Sequence, residues 1–201
     1  MSRSVDLLKK RYLENIKEEP DLFVGVELEY PVVNLEGKAT DSEVVKDLFR
    51  YLPSVLDFTI EKVDDFGNPI QLLDPVSQDT ILFEVSYTTI EFAFGRAKSI
   101  QEVEERFRDY MDLIQKKLGE ANHAIIGSGI HPYWEKNENQ PVAYARYQML
   151  MNYLKLSRTV LGTDLHDYPE YGAFICGSQV QLDVSKSNYL RVINAFNQIE
   201  A

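Results

Sequence analysis

The chain has 201 residues, 44% hydrophobic and 26% charged, with a formal net charge of −11. That balance describes a folded, water-compatible chain and excludes a nucleic-acid backbone as partner, because phosphate binding needs clustered Lys and Arg. A single cysteine, Cys176, excludes an internal disulfide framework and fits a reducing compartment.

The opening stretch MSRSVDLLKKRYLENIKEEP lacks the apolar core of a secretory signal, and no run is long enough to span a bilayer. The expected location is cytoplasmic, with no membrane partner. Residues 2–18 carry Val5, Leu8, Tyr12 and Ile16 at helical spacing, and Pro20 ends that helix. The segment Leu22 to Asn34 is rich in Val and aromatics and reads as a strand broken at Pro31. A second amphipathic helix is expected over 41–52, capped by Asp41 or Ser42 and stopped before Pro53.

Residues 57–74 read as strand, turn at Asp64–Asn68, and strand. Asp79 to Gly95 reads as one or two long strands. Ser99 with Glu102 three residues on forms a capping-box pattern for a helix reaching about Gly119. A short buried strand is expected over Ala124–Ile130, then a loop, a helix over 143–158, a polar loop, a strand over Phe174–Val184 and a helix over 187–200. Strands outnumber helices and do not alternate with them. This predicts an α+β fold with a mainly antiparallel sheet and helices packed on one face. The whole of 1–201 reads as one domain. Its uncapped helical end suggests a truncated domain.

Carboxylates supply the candidate chemistry. Glu27 and Glu29 are two apart on a strand and so share a face with Gly25, opposite Val24, Val26, Leu28 and Tyr30. Two adjacent carboxylates repel, and a hard divalent cation such as magnesium relieves that repulsion. An outward-facing acidic strand is an equally ready reading. Glu84 shares a face with Ser86 and Thr88, while Glu91 has the other parity and joins that face only across a bulge or bend. Gln179, Gln181 and Asp183 alternate along a third strand, where amides can read amino and carboxylate groups.

Arg146 and Tyr147 sit on an amphipathic helix, and Arg146 suits a carboxylate or phosphate. His131 follows a buried strand in a loop and is a substrate-binding candidate; His123 and His166 read as surface residues. The Gly127–Gly129 pair lacks the third glycine of a dinucleotide loop. No P-loop, paired zinc cysteines or nucleophile elbow is present. Cys176 reads as a buried structural thiol.

In order, GVELEYPVV (25–33), FEVSYTTIEF (83–92), GSGIHPYW (127–134), RYQMLMNYL (146–154) and SQVQLDV (178–184) resemble the glutamate–cysteine ligase family of the glutamine-synthetase-like superfamily. The resemblance implies a glutamine-synthetase-like catalytic domain that joins the γ-carboxylate of glutamate to the amine of cysteine, using ATP and magnesium. It implies Glu27, Glu29, Glu84 and Glu91 as metal ligands, and Gln179 and Gln181 near substrate and nucleotide. It places Arg146 at the substrate or phosphate, with the remaining half of the catalytic domain as a further partner. Some relatives carry Leu-Glu-Pro-Gly-Gly before the second acidic strand. Here the stretch runs Pro75 to Asp79, a departure that puts the ligand at that place in question and leaves Asp79 as the candidate substitute, and Gln181 replaces an Asn. A related ligase using another amine, or a non-catalytic relative acting in binding, keeps the same fold.

Overall fold

The computed structural model describes residues 3–14, 16–161 and 171–199. His166 and the polar loop around it lie outside the described residues. The fold is α+β, built on a seven-stranded, antiparallel sheet. Its strands are β1 (Val24–Asn34), β2 (Thr59–Val63), β3 (Pro69–Leu73), β4 (Thr80–Phe83), β5 (Thr89–Ala97), β6 (His123–Ile125) and β7 (Ser178–Leu182). The path runs β2-β3-β4-β5-β1, and the far edge of β1 is shared by β7 along residues 24–28 and β6 along residues 32–34.

The strand β1 is not broken at Pro31. The Glu29 N–H and the Pro31 carbonyl both point to the edge shared by β7 and β6. The missing proline N–H therefore faces the junction between those two strands, and no ladder bond is lost.

The helices are α1 (Arg3–Tyr12), α2 (Ser42–Tyr51), α3 (Ile100–Gly119), α4 (Ala145–Leu161) and α5 (Tyr189–Ile199). Asp41 caps α2 by accepting from the Glu43 N–H, and Ser99 caps α3 by accepting from the Glu102 N–H. Both helices lie on the same face of the sheet. Val45, Leu48 and Phe49 of α2 and Val103, Tyr110, Ile114 and Leu118 of α3 meet Ile81, Phe83, Ile90, Phe92 and Phe94 from the strands. Phe49 stacks on Phe83 at 4.0 Å between ring centroids, and Phe94 stacks on Tyr110. Burial of this apolar face drives the fold and leaves the other face of β1 and β5 for polar groups.

Several expected elements differ in extent. The helix α1 stops at Tyr12 and buries no residue, so its apolar stripe is exposed. The strand expected over 124–130 is only His123–Ile125, with Ile130 in an isolated bridge to Ile175. His123 is buried, not superficial: its Nδ1 meets the Ala121 carbonyl and its Nε2 accepts from the Asp41 N–H. Two acidic-strand segments became a hairpin, β4 and β5, joined by a turn over 84–88. Among the described residues no helix is long and apolar enough to cross a membrane.

Candidate functional site

The polar face is assembled by strand register. Glu29 pairs directly with Glu91, Glu27 with Ala93, and Leu82 of β4 with the same Glu91. Directly paired residues share a face, so Glu27, Glu29 and Glu91 project together. Glu84 follows Leu82 by two and joins them, with its N–H donating to the Thr89 carbonyl as the ladder ends. The parity problem between Glu84 and Glu91 is solved by the hairpin. The chain reverses between them, so counting alternation along one strand does not apply.

Val85 completes that reversal in the left-handed region at φ 58°, a strained position for a β-branched residue. On the other side of β1, Gln179 pairs with Glu27 and Gln181 with Gly25. Gly25 leaves room for the Gln181 amide: a Cβ there would lie 2.7 Å from the Gln181 Oε1, so the amide would have to turn aside. The Glu29 carboxylate accepts from the Gly177 N–H at 2.6 Å, which fixes the chain entering β7.

The four glutamates are half-buried and feel one another. Burial, and then the proton shared with Glu84 and the charges of Glu84, Glu27 and Glu29, push the Glu91 carboxyl up to about 8. The Glu84–Glu91 pair is thereby biased toward keeping one proton between them. Burial also raises Glu84, which the hydrogen bond from Glu91 and the charge of Arg146 oppose. Glu29 is raised by burial and by Glu27, against the Gly177 hydrogen bond. The protein has gathered carboxylates without enough positive charge to balance them.

Arg146 is exposed in the first turn of α4, close enough to stabilise the charge of Glu84. Tyr147 is buried, and its hydroxyl donates to the Phe83 carbonyl at 2.7 Å. Its ring therefore supports the β4–β5 turn. The described glutamates are oxygen donors of the kind magnesium takes. Among the described residues no three His, Cys, Asp or Glu side chains are already drawn in around a common point.

Other candidates fall away from this face. His131 is fully buried: its Nδ1 accepts from the Tyr133 N–H, so Nε2 carries the proton toward the Val32 carbonyl at 2.9 Å and Thr40. Both nitrogens are occupied in the core, and the ring is not brought together with the glutamates. Asp79 lies on the helical side, where it accepts from Arg106 at 2.5 Å, from the Tyr110 hydroxyl and from the Gly95 N–H. It does not substitute for a ligand on the acidic face. The Asp183 carboxylate accepts from Lys17 and the Asp21 N–H and secures the N-terminal segment to the end of β7. The buried Cys176 thiol is pushed up to about 12 by burial and by Glu29, which rules it out as a ready nucleophile.

Sequence reasoning missed Tyr87 and Asp64. The Tyr87 hydroxyl donates to the Asp64 carboxylate at 2.7 Å and accepts from the Ala143 N–H, joining three segments distant in sequence. No local pattern announces such a junction.

No curated protein matches the chain. Residues 23–201 match the family described as glutamate-cysteine ligase family 2, a span that begins one residue before β1 and includes every strand. The chain therefore belongs to glutamate-cysteine ligase family 2, a family of ligases.

Proposed function

We propose that the acidic face is part of the active site of an ATP-dependent ligase that joins the γ-carboxylate of glutamate to the amine of cysteine. The observation that carries this reading is the direct pairing of Glu29 with Glu91, flanked by Glu27 and Glu84 and short of positive charge. Family membership supports the ligase class.

In this reaction a carboxylate oxygen of glutamate attacks the γ-phosphorus of ATP, an O–P bond forms, and ADP leaves. The amine nitrogen then attacks the acyl carbon, and phosphate leaves as the amide forms. No covalent nucleophile from the protein is needed, only alignment and charge compensation. Bound magnesium would supply neutralisation of phosphate charge, held by Glu27, Glu29, Glu84 and Glu91. Arg146 would face the transferred phosphoryl group or the substrate carboxylate, as a planar guanidinium suits either. Gln179 and Gln181 would read the substrate's amino and carboxylate groups beside Glu27. Tyr147 would shape the pocket from beneath, and His131 is given no contact with substrate.

The test is ATP hydrolysis with glutamate, magnesium and a panel of amines, on this chain and on its complete reading frame. Turnover that depends on cysteine supports the proposal. Turnover with a different amine changes the substrate, and none with any amine sinks the ligase reading.

A further inference from the structure

The segment leading into α4, with the first turn of that helix, is fastened at three alternate residues, Phe83, Val85 and Tyr87, that run from the end of β4 through the β4–β5 turn. The Val142 N–H donates to the Val85 carbonyl at 2.7 Å, the Ala143 N–H donates to the Tyr87 hydroxyl at 3.1 Å, and the Tyr147 hydroxyl donates to the Phe83 carbonyl at 2.7 Å. A fourth bond, from the Asp65 N–H to the Ala143 carbonyl, ties the same segment to the β2–β3 turn. Tyr87 sits at the crossing. Its hydroxyl gives its hydrogen to Asp64 and takes one from Ala143, and its ring is covered by the Lys46 ammonium at 4.3 Å. Asp64 is itself held rigid, accepting from the N–H groups of Phe66 and Asn68 and from the Asn68 amide.

Between the fastened points lie the two groups whose relation matters, Glu84 on the turn and Arg146 one residue before Tyr147. Val85, next to Glu84, holds its strained φ where the Val142 bond pins its carbonyl. A strained residue persists only where its surroundings over-determine it. We infer that Tyr87 is a positioning residue, which through Asp64 and Ala143 sets Arg146 against the Glu84 turn so that guanidinium and carboxylates act on one bound phosphate group. The inference rests on the proposed function for the identity of that ligand.

Tyr87→Phe removes the junction and little else. Asp64 keeps its bonds from Phe66 and Asn68, and the ring keeps its packing, so the fold is expected to survive. The primary experiment is a double-mutant cycle on magnesium–ATP affinity by calorimetry, with Tyr87→Phe, Arg146→Ala and the pair together. Each single change is expected to weaken binding by roughly tenfold, and the pair no more than Arg146→Ala alone, because groups acting in one unit are not additive. Full additivity would overturn the inference, since a merely structural tyrosine loses affinity independently of Arg146. Normal affinity in Tyr87→Phe would overturn it as well.

A second measurement needs no nucleotide and separates the inference from the ligase reading. Amide hydrogen exchange in Tyr87→Phe should accelerate at Val142 and Ala143 while the amides of α3 keep wild-type rates. Unchanged exchange at both sites overturns the positioning role. Acceleration there, with no magnesium–ATP binding by the wild type, would leave the fastening in place and remove the ligase reading instead.

Discussion

Glu29 of β1 stands directly opposite Glu91 of β5, two acidic side chains on one face of an antiparallel pair, where like charges destabilise. Burial first, then the hydrogen bond shared with Glu84 and the neighbouring charges, push the Glu91 carboxyl up to about 8, which relieves the conflict by favouring one proton on the Glu84–Glu91 pair. The unfolded chain holds that proton only below about 4.5. Between these values the folded state alone binds the proton, so stability is full below the unfolded value and falls as pH rises through the folded one. Glu91→Gln removes the titration. In chelator-containing buffer the variant should lose less Tm than wild type as pH is raised from about 5 to about 9. Parallel loss in both proteins would show that Glu91 is ionised throughout.

The same crowding predicts the response to metal. Glu27→Gln and Glu29→Gln each remove one ligand charge and keep an acceptor oxygen, so Gly177 retains its partner in the second variant. Magnesium–nucleotide affinity should fall by about tenfold in each, while thermal stability without metal should hold or rise. Wild-type affinity in both, measured by calorimetry, would leave the acidic face without a metal role.

Asp79 separates structural from functional acids. Its carboxylate is buried against Arg106, Tyr110 and the Gly95 N–H, and Gly95 itself has no room for a Cβ, which would lie 2.0 Å from the Ser77 carbonyl oxygen. Asp79→Ala takes the counter-ion from Arg106, which keeps its bond to the Glu102 carbonyl, and takes the carboxylate acceptor from the Tyr110 hydroxyl and the Gly95 N–H. It should cost about 3 kcal/mol, the low end for a broken buried pair because Arg106 is partly exposed. Urea unfolding measures the loss. Magnesium affinity of the folded fraction should be unchanged, and a parallel drop in affinity would return Asp79 to the metal site.

These residues show which parts of the fold were legible. The Ser99–Glu102 cap, the Asp41 cap and the Glu27/Glu29 face follow from local rules, because a cap or an alternation is written within a few residues. The Glu84–Glu91 relation was not readable as one strand, since the reversal at Val85 uses no Gly, Asn or Pro and gives no turn signal. Asp79 and Tyr87 were misjudged or missed for a different reason. Their partners Arg106, Asp64 and Ala143 are over twenty residues away, and only the packed fold brings them into contact.

His131 predicts a pH response of opposite sign to that of Glu91. Burial depresses its ring below the usual value near 6.5, although the Val32 carbonyl opposes this, so the folded state keeps it neutral. The unfolded chain takes up a proton first as pH falls, so the stability that His131 contributes is present above about 6.5 and is lost as pH falls toward the folded value. His131→Ala empties a fully buried position and abandons the Tyr133 N–H, at a cost of about 2–4 kcal/mol at neutral pH. The gap between variant and wild type should narrow on acidification below pH about 6. A gap that stays constant in urea titrations across that range would mean the ring does not titrate on unfolding.

Gly25 offers the most direct test of the amide face, because its substitution should alter binding without harming the fold. The atom that a Cβ would strike is the Gln181 Oε1, the free end of a flexible side chain, and the next contact is an ordinary 3.4 Å. Gly25→Ala should therefore turn the Gln181 amide away from its place over residue 25 while leaving β1 paired with β7. Replacing a strand glycine also removes unfolded-state freedom, so stability should hold or gain up to about 1 kcal/mol. If Gln181 reads the acid substrate, Gly25→Ala should raise KM for it by the same factor as Gln181→Ala, with the Tm at or above wild type. A raised KM in Gln181→Ala with none in Gly25→Ala would mean that the amide finds its productive position without the space at Gly25. A wild-type KM in both would remove Gln181 from the binding site.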